Sequence, residues 1–302
     1  MTRARTGNVH PASKSTLPAD RTSRTRSALM NTVATSPSIT SAWTGMVPVD
    51  DTALAVTDTG GTGQAIVYLN GAYADQSHWR PMIAELGTSF RHITFDERAR
   101  GKSKTSSDYS FEACVRDVDA VLAARGVIDR PILVGWSYGA TTAVHWAERN
   151  PGRAMGVVCV DGAMPYGLTG EEGRERIRKL FRRMRFVLPL ARPLGMAARM
   201  SADEHAEVNI EINELVAAIA PVLDRVVDPV RYVLATGANL GGGQEEMEDV
   251  RASLDPVLAR NPNMRVSAKV PSNHSKILRK DFRAVAEAVR ETVMEATASA
   301  GR

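Results

Sequence analysis

Gly135-Trp136-Ser137-Tyr138-Gly139 sets a serine between two glycines. The apolar run Ile132–Val134 precedes it, and the helix-forming stretch ATTAVHWAERN follows at once, closed by Pro151. A sharp strand-to-helix turn would hold Ser137 in strained geometry with its side chain projecting. Side chains two residues before and two after would strike neighbouring backbone, and glycine removes them. The helix start offers free N–H groups and the positive end of a dipole, which favour a developing oxyanion. A serine hydroxyl is a poor nucleophile without a base, so the six histidines are the next residues to weigh. His10 lies in a polar N-terminal segment, His92 starts a strand-like run, His145 packs within the helix after the serine, and His205 falls in a helical interval. His78 follows the first strong strand and is a candidate pocket residue. His274 alone sits in a loop after the last strand-like run, in VPSNHSKILRKD. In an open α/β sheet that loop reaches the same carboxyl edge as Ser137.

These residues need a scaffold that brings strand ends together. Strand-like runs occur at AIVYLN (65–70), HITFD (92–96), PILVGW (131–136), GVVCVD (156–161), VRYVLATG (230–237) and MRVSAKV (264–270), with two weaker ones near 44–49 and 53–57. Helical patterns alternate with them. Phe111, Cys114, Val115, Val118, Val121 and Leu122 share one face, as do Phe282, Val285, Ala286, Val289 and Val293. Alternation of this kind predicts an α/β fold with a mostly parallel sheet, helices on both faces and right-handed connections. Residues 163–228 contain only helix-like sequence, far more than a crossover needs, and read as a helical cap inserted into a core of 41–162 and 229–302. ERIRKLFRRMRF puts Ile177, Leu180, Phe181 and Met184 on one face among basic residues; it is either a cap helix with a solvated charged face or a helix docked on a membrane surface. HAEVNIEINELVAAIAPVL reads as a second helix.

Composition narrows the partners. The 302 residues carry a net charge of +4, but residues 1–40 hold five arginines, Lys14 and the single acid Asp20, a balance of +5 that leaves −1 for the rest. A neutral body argues against nucleic-acid binding. Residues 1–40, rich in Ser, Thr, Arg and Pro without apolar periodicity, are expected to be a disordered tail. Their Arg-rich, acid-poor composition is shared with transit peptides, and Met30 or Met46 is an alternative start. No apolar run is long enough for a membrane span, so no stable membrane insertion is expected. Cys114 and Cys159 form no disulfide or zinc pattern, and a reducing, cytoplasmic setting follows by default. GTGQA (61–65) and LGGGQ lack the spacing and the lysine of a phosphate loop, so neither cofactor nor metal is expected.

From about Trp43 onward the sequence resembles the α/β-hydrolase superfamily. LNGAYADQSHW (69–79) resembles its oxyanion loop, with Asn70 in place of the usual histidine; DERARGKS (96–103) resembles its D-x-R-G-x-G-x-S turn, with Ala99 in place of the first glycine; GWSYG is the nucleophile elbow and NHS carries the late histidine. The resemblance implies an α/β-hydrolase fold and a serine hydrolase with Ser137 as nucleophile, His274 as general base and then acid, and an oxyanion hole from the N–H groups of Ala72 and Tyr138. Asn70 is then expected to alter polarity at the rear of the pocket. The acid departs from the pattern, since Asn239 stands where an aspartate is expected. Asp161 ends the strand next after the elbow helix and so emerges at the same sheet edge; Glu245 or Glu246, past a triple glycine, and a dyad without an acid are the alternatives, and Asp96 is a turn residue. Hydrolysis of an ester, thioester or lactone of a small to medium hydrophobic molecule through an acyl-enzyme is the leading function. Amide, C–C bond or peracid chemistry could use the same residues. Serine at the elbow argues against dehalogenase or epoxide hydrolase chemistry, which uses an aspartate. A ligand-binding or receptor-like protein on the same scaffold is the rival. Trp79, Trp136 and Met164 are expected to make the substrate pocket apolar; the sequence says nothing of oligomeric state.

Overall fold

The computed structural model describes residues 41–192, 197–237 and 244–300, the side chains of 244–246, 299 and 300 excepted. The tail expected over 1–40 lies outside the described residues, as does Asn239.

Eight strands form one sheet: β1 (Trp43–Val49), β2 (Thr52–Asp58), β3 (Gln64–Leu69), β4 (Phe90–Phe95), β5 (Ile132–Trp136), β6 (Gly156–Val160), β7 (Val230–Ala235) and β8 (Met264–Val270). Their order is β1-β2-β4-β3-β5-β6-β7-β8. The two weak runs form the hairpin β1–β2, which joins β4 antiparallel; every other pairing is parallel. The central strands are apolar on both faces because helices cover both. One core layer holds Phe111, Val115, Val118 and Leu122 of α2 (Phe111–Ala124) and Ala143, Val144 and Trp146 of α3 (Tyr138–Arg149). The other holds Met82 and Leu86 of α1 (Arg80–Leu86) with Val285, Ala286 and Val289 of the last helix, which spans Phe282–Ala300. The face read from periodicity in α2 is the buried one, and Ser110 caps the helix by accepting from the Ala113 N–H. Cys114 and Cys159 are buried free thiols.

Among the described residues between β6 and β7 lie four helices, α4 (Gly170–Met184), α5 (Leu188–Ala191), α6 (Ala202–Ala217) and α7 (Ala220–Arg225). α4 packs its Ile177 and Phe181 on Ala206 and Ile210 of α6. The stretch read as one helix over 205–223 is two, broken at Ala218–Ile219. Pro221, at the start of α7, has no N–H to donate to the preceding turn, so α6 cannot run through it. After β7 come α8 (Gln244–Ala252) and α9 (Asp255–Arg260), then, past β8, α10 (Ile277–Lys280) and α11, the Phe282–Ala300 helix.

Candidate active site

Ser137 occupies the tip between β5 and α3, with φ 56° and ψ −115°. A non-glycine residue held there costs on the order of 1–3 kcal/mol, and three glycines make the tip possible. A Cβ on Gly135 would lie 2.3 Å from the Gly139 carbonyl oxygen, and one on Gly139 would lie 2.1 Å from that of Leu69. The third is Gly162, after β6, whose Cβ would lie 2.4 Å from the Ser137 carbonyl oxygen. Sequence reading found the first two from the elbow spacing; Gly162 had no such signal, because the contact joins two loops distant in sequence.

The tip meets two other strand ends. His274, in the loop between β8 and α10, places Nε2 2.9 Å from Ser137 Oγ. Its Nδ1 lies 2.8 Å from Oδ2 of Asp161. The Asp161 side chain is fully buried, and its Oδ1 accepts from the Ala235 N–H at 3.0 Å. That bond fixes the carboxylate to the end of β7 with one oxygen left for the imidazole. Glu245 and Glu246 begin α8. Trp136 donates its indole N–H to the His274 carbonyl at 3.2 Å and lies between the rings of His274 and His78, at centroid separations of 5.6 and 5.8 Å. His274 is thus held by its ring, by its backbone and by the tilted indole of Trp136.

The loop after β3 is clamped from beneath. Glu97, in the turn after β4, accepts the Asn70 N–H at 2.9 Å and the Asn70 side-chain amide at 2.8 Å; Asn70 Oδ1 in turn accepts the Trp79 indole N–H at 2.7 Å. Arg100 donates Nε to the Ala72 carbonyl at 2.8 Å. Among the described residues nothing accepts from the N–H of Ala72 or of Tyr138, and both residues line the cavity beside Ser137. Two expectations change here. Trp79 is fully buried beneath the loop instead of facing substrate, because its N–H is committed to Asn70. Asn70 is likewise buried and off the pocket wall, so it shapes the loop and not the polarity of the pocket. Glu97 and Arg100 lie within the DERARGKS motif, but no spacing rule marks them as partners of residues 70–72.

The cavity over Ser137 has a volume of about 970 Å³. Met164, Ile212, Val216 and Val250 bring apolar surface to its lining, and Lys276 and Arg279 bring positive charge beside His78. Trp136 lines it as expected. A hydrogen bond to Asp75 raises the His78 pKa above its ordinary value. Burial lowers those of His145 and His205 to about 4, and neither lies at the serine. Among the described residues no cluster of three His, Cys, Asp or Glu is placed to hold a metal. No described helix is long and apolar enough to cross a membrane.

A family model described as the alpha/beta hydrolase family matches residues 66–295. The chain belongs to that family. Among curated relatives, a haloalkane dehalogenase of Mesorhizobium japonicum is 28% identical over 46% of this chain and 45% of its own. An N-formylmaleamate deformylase of Pseudomonas putida is 33% identical over 34% of this chain and 38% of its own. The chain thus spans less than half the length of the curated relatives it matches. Among solved structures, a thermophilic esterase from Thermogutta terrifontis superposes with a TM-score of 0.64 at 20% identity, covering 85% of this chain and 99% of that one. An enol-lactonase from Burkholderia xenovorans gives 0.60 at 19% identity over 83% and 100%. These structural likenesses speak for the fold.

Proposed function

We propose that this protein is a serine hydrolase that cleaves an ester, thioester or lactone of a small to medium, largely apolar molecule through an acyl-enzyme. The observation that carries the reading is the unbroken chain Ser137 Oγ–His274–Asp161, at 2.9 and 2.8 Å. In the first step Ser137 Oγ bonds to the carbonyl carbon while its proton passes to His274 Nε2. Asp161 accepts from Nδ1–H, which holds the tautomer with a basic Nε2 and steadies the imidazolium. The N–H groups of Ala72 and Tyr138 receive the carbonyl oxygen as it becomes negative. The C–O or C–S bond then breaks, the leaving group takes the proton from His274, and water repeats the sequence to release the acid and restore Ser137.

The relatives support hydrolysis in general: a deformylase and a dehalogenase are both named for bond cleavage. Ser137 stands where a dehalogenase would need a carboxylate nucleophile, which favours acyl transfer. The apolar surface in the cavity lining favours a hydrophobic acyl or ring group.

Treatment with a fluorophosphonate followed by intact-mass and peptide analysis tests the reading. One adduct on the Ser137 peptide is expected, together with turnover of members of a p-nitrophenyl ester and lactone panel that is lost in Ser137→Ala. Labelling elsewhere overturns it. Ligand binding with neither labelling nor turnover would favour the receptor-like alternative.

A further inference from the structure

The helices between β6 and β7 carry an outer stripe that hydrolysis does not use. α4 turns Ile177 and Phe181 inward onto α6. At helical spacing Arg176, Leu180, Arg183 and Val187 fall on a different face, with Lys179 and Leu190 beside them. Arg185 and Val187 keep right-handed helical dihedrals in the turn between α4 and α5, and that turn carries Phe186 and Val187 between Leu180 and Leu190. Leu180, Phe186, Val187 and Leu190 are 51%, 73%, 56% and 75% exposed. Single exposed apolar residues are ordinary, but four within eleven positions are a patch. Three of the cations beside it are unspent, and Arg185 lies over the Phe186 ring at 4.5 Å. Arg174, Arg178 and Arg182 pair with Glu214, Glu207 and Glu175, whereas Arg176, Lys179, Arg183 and Arg185 form no ion pair with any described residue.

We propose that this stripe docks the protein on an anionic lipid bilayer. Phe186, Val187 and Leu190 enter the boundary between headgroups and acyl chains, and Arg176, Lys179 and Arg183 meet the lipid phosphates and carboxylates. Charge decides against the other occupants. A second copy laid stripe on stripe would set three unpaired cations against three. The segment 1–40, at a balance of +5, is repelled in the same way. A nucleic acid would satisfy the cations and leave four apolar side chains in water. A bilayer surface satisfies both, and the contact is peripheral, since no described helix is long and apolar enough to cross.

Co-sedimentation of the full chain with phosphatidylcholine vesicles, with and without about 30% phosphatidylserine, tests this. Binding is expected to rise at least about tenfold with the anionic lipid and to be reversed by salt at about 0.5 M. Phe186→Ser with Leu190→Ser, and separately Arg176→Glu with Arg183→Glu, should each lower it about tenfold. All four side chains are exposed, and circular dichroism checks that both variants fold. Equal binding to both vesicle types overturns the proposal. So does anionic-lipid binding that survives both double variants, which assigns the attraction to the basic residues of 1–40. A dimer in solution that Phe186→Ser with Leu190→Ser dissolves assigns the stripe to a second copy and equally overturns it.

Discussion

His274 Nδ1 meets Asp161 Oδ2 at 2.8 Å, and Asp161 stands at the end of β6, the strand beside the one that bears Ser137. The second carboxylate oxygen is held by the Ala235 N–H at the end of β7. The end of β7 thus supplies a backbone donor that orients a carboxylate at the end of the neighbouring strand.

Asp161→Asn should therefore leave the fold intact and lower kcat by about four orders of magnitude, since an amide that donates to Nδ1 holds the imidazole in the wrong tautomer. Glu245→Gln and Glu246→Gln should change turnover by less than about twofold, as expected of residues outside the acid's role. Turnover of the three variants on one ester, with circular dichroism of each, checks this. A crippled glutamate variant beside an active Asp161→Asn would reverse the assignment.

Glu97 should tie stability to pH. Burial pushes its carboxyl up to about 7, against the hydrogen bonds from Asn70 that favour the charged form. The folded state then holds the proton more tightly than the unfolded chain, whose value is near 4.5. The stabilisation is full below pH about 4.5 and is lost as pH rises through about 7, a swing of up to roughly 3 kcal/mol. The difference in urea-unfolding stability between the parent and Glu97→Gln, taken from pH 4.5 to 8, should show this fall. Because Glu97 fixes the Asn70 N–H two residues before Ala72, the variant should also lower kcat more than it raises KM. An unchanged slope together with unchanged kinetics would remove Glu97 from the clamp.

What the sequence revealed depended on the range of the interaction. Ser137, Gly135 and Gly139 were legible because a tight turn writes its constraints into five consecutive residues. His274 and Asp161 were legible through strand ends, since parallel strands bring their carboxyl termini to one edge. The α2 face was legible because 3.6-residue periodicity survives in Phe111, Cys114, Val115 and Val118. Trp79 was misplaced because an aromatic near a catalytic loop reads alike whether it faces substrate or donates inward to Asn70. Gly162, Glu97 and Arg100 act through contacts between loops, and only coordinates join Glu97 to Asn70. The break at Ala218–Ile219 was written in Pro221 and was overridden in reading by the apolar pattern on either side.

Two buried histidines should set the acid limb of stability. His205 lies stacked on Phe181 at 5.7 Å and edge-on to Tyr73 at 5.1 Å. Its pKa is lowered to about 4, first by burial and then by the Arg100 cation; His145, against Phe111, is lowered to about 4 by burial and then by Arg149. The folded state resists protonating both rings, so their contribution is full above pH about 6.5 and lost as pH falls through about 4. His205→Phe, which keeps an aromatic ring in place, should shrink the drop in Tm between pH 7 and pH 4 relative to the parent. This trend runs opposite to that of Glu97, so the two variants should tilt the pH–stability curve in opposite directions. An identical drop in variant and parent would show that His205 is protonated as readily folded as unfolded.

Gly162→Ala should damage turnover from outside the Ser137–His274–Asp161 chain. The added Cβ would lie 2.4 Å from the Ser137 carbonyl oxygen, 2.8 Å from Ser137 Cα and 2.9 Å from Ala140 Cβ. Two of these are backbone of the strained tip and the third is the first turn of α3, so no flexible side chain can move aside. Either Ser137 shifts or the loop after β6 does, and that loop begins with Asp161. Both routes lengthen the chain from Oγ through His274 to the carboxylate. Overpacking of this kind costs about 1–3 kcal/mol of stability. A displacement of the order of 1 Å at the reacting atom costs about a hundredfold in rate. The expected result is a Tm lowered by several degrees and a rate of phosphonate labelling at Ser137 lowered about a hundredfold, in a protein that still folds. Labelling at the parent rate with Tm unchanged would mean that the two loops separate without cost, and that the elbow does not depend on a glycine at position 162.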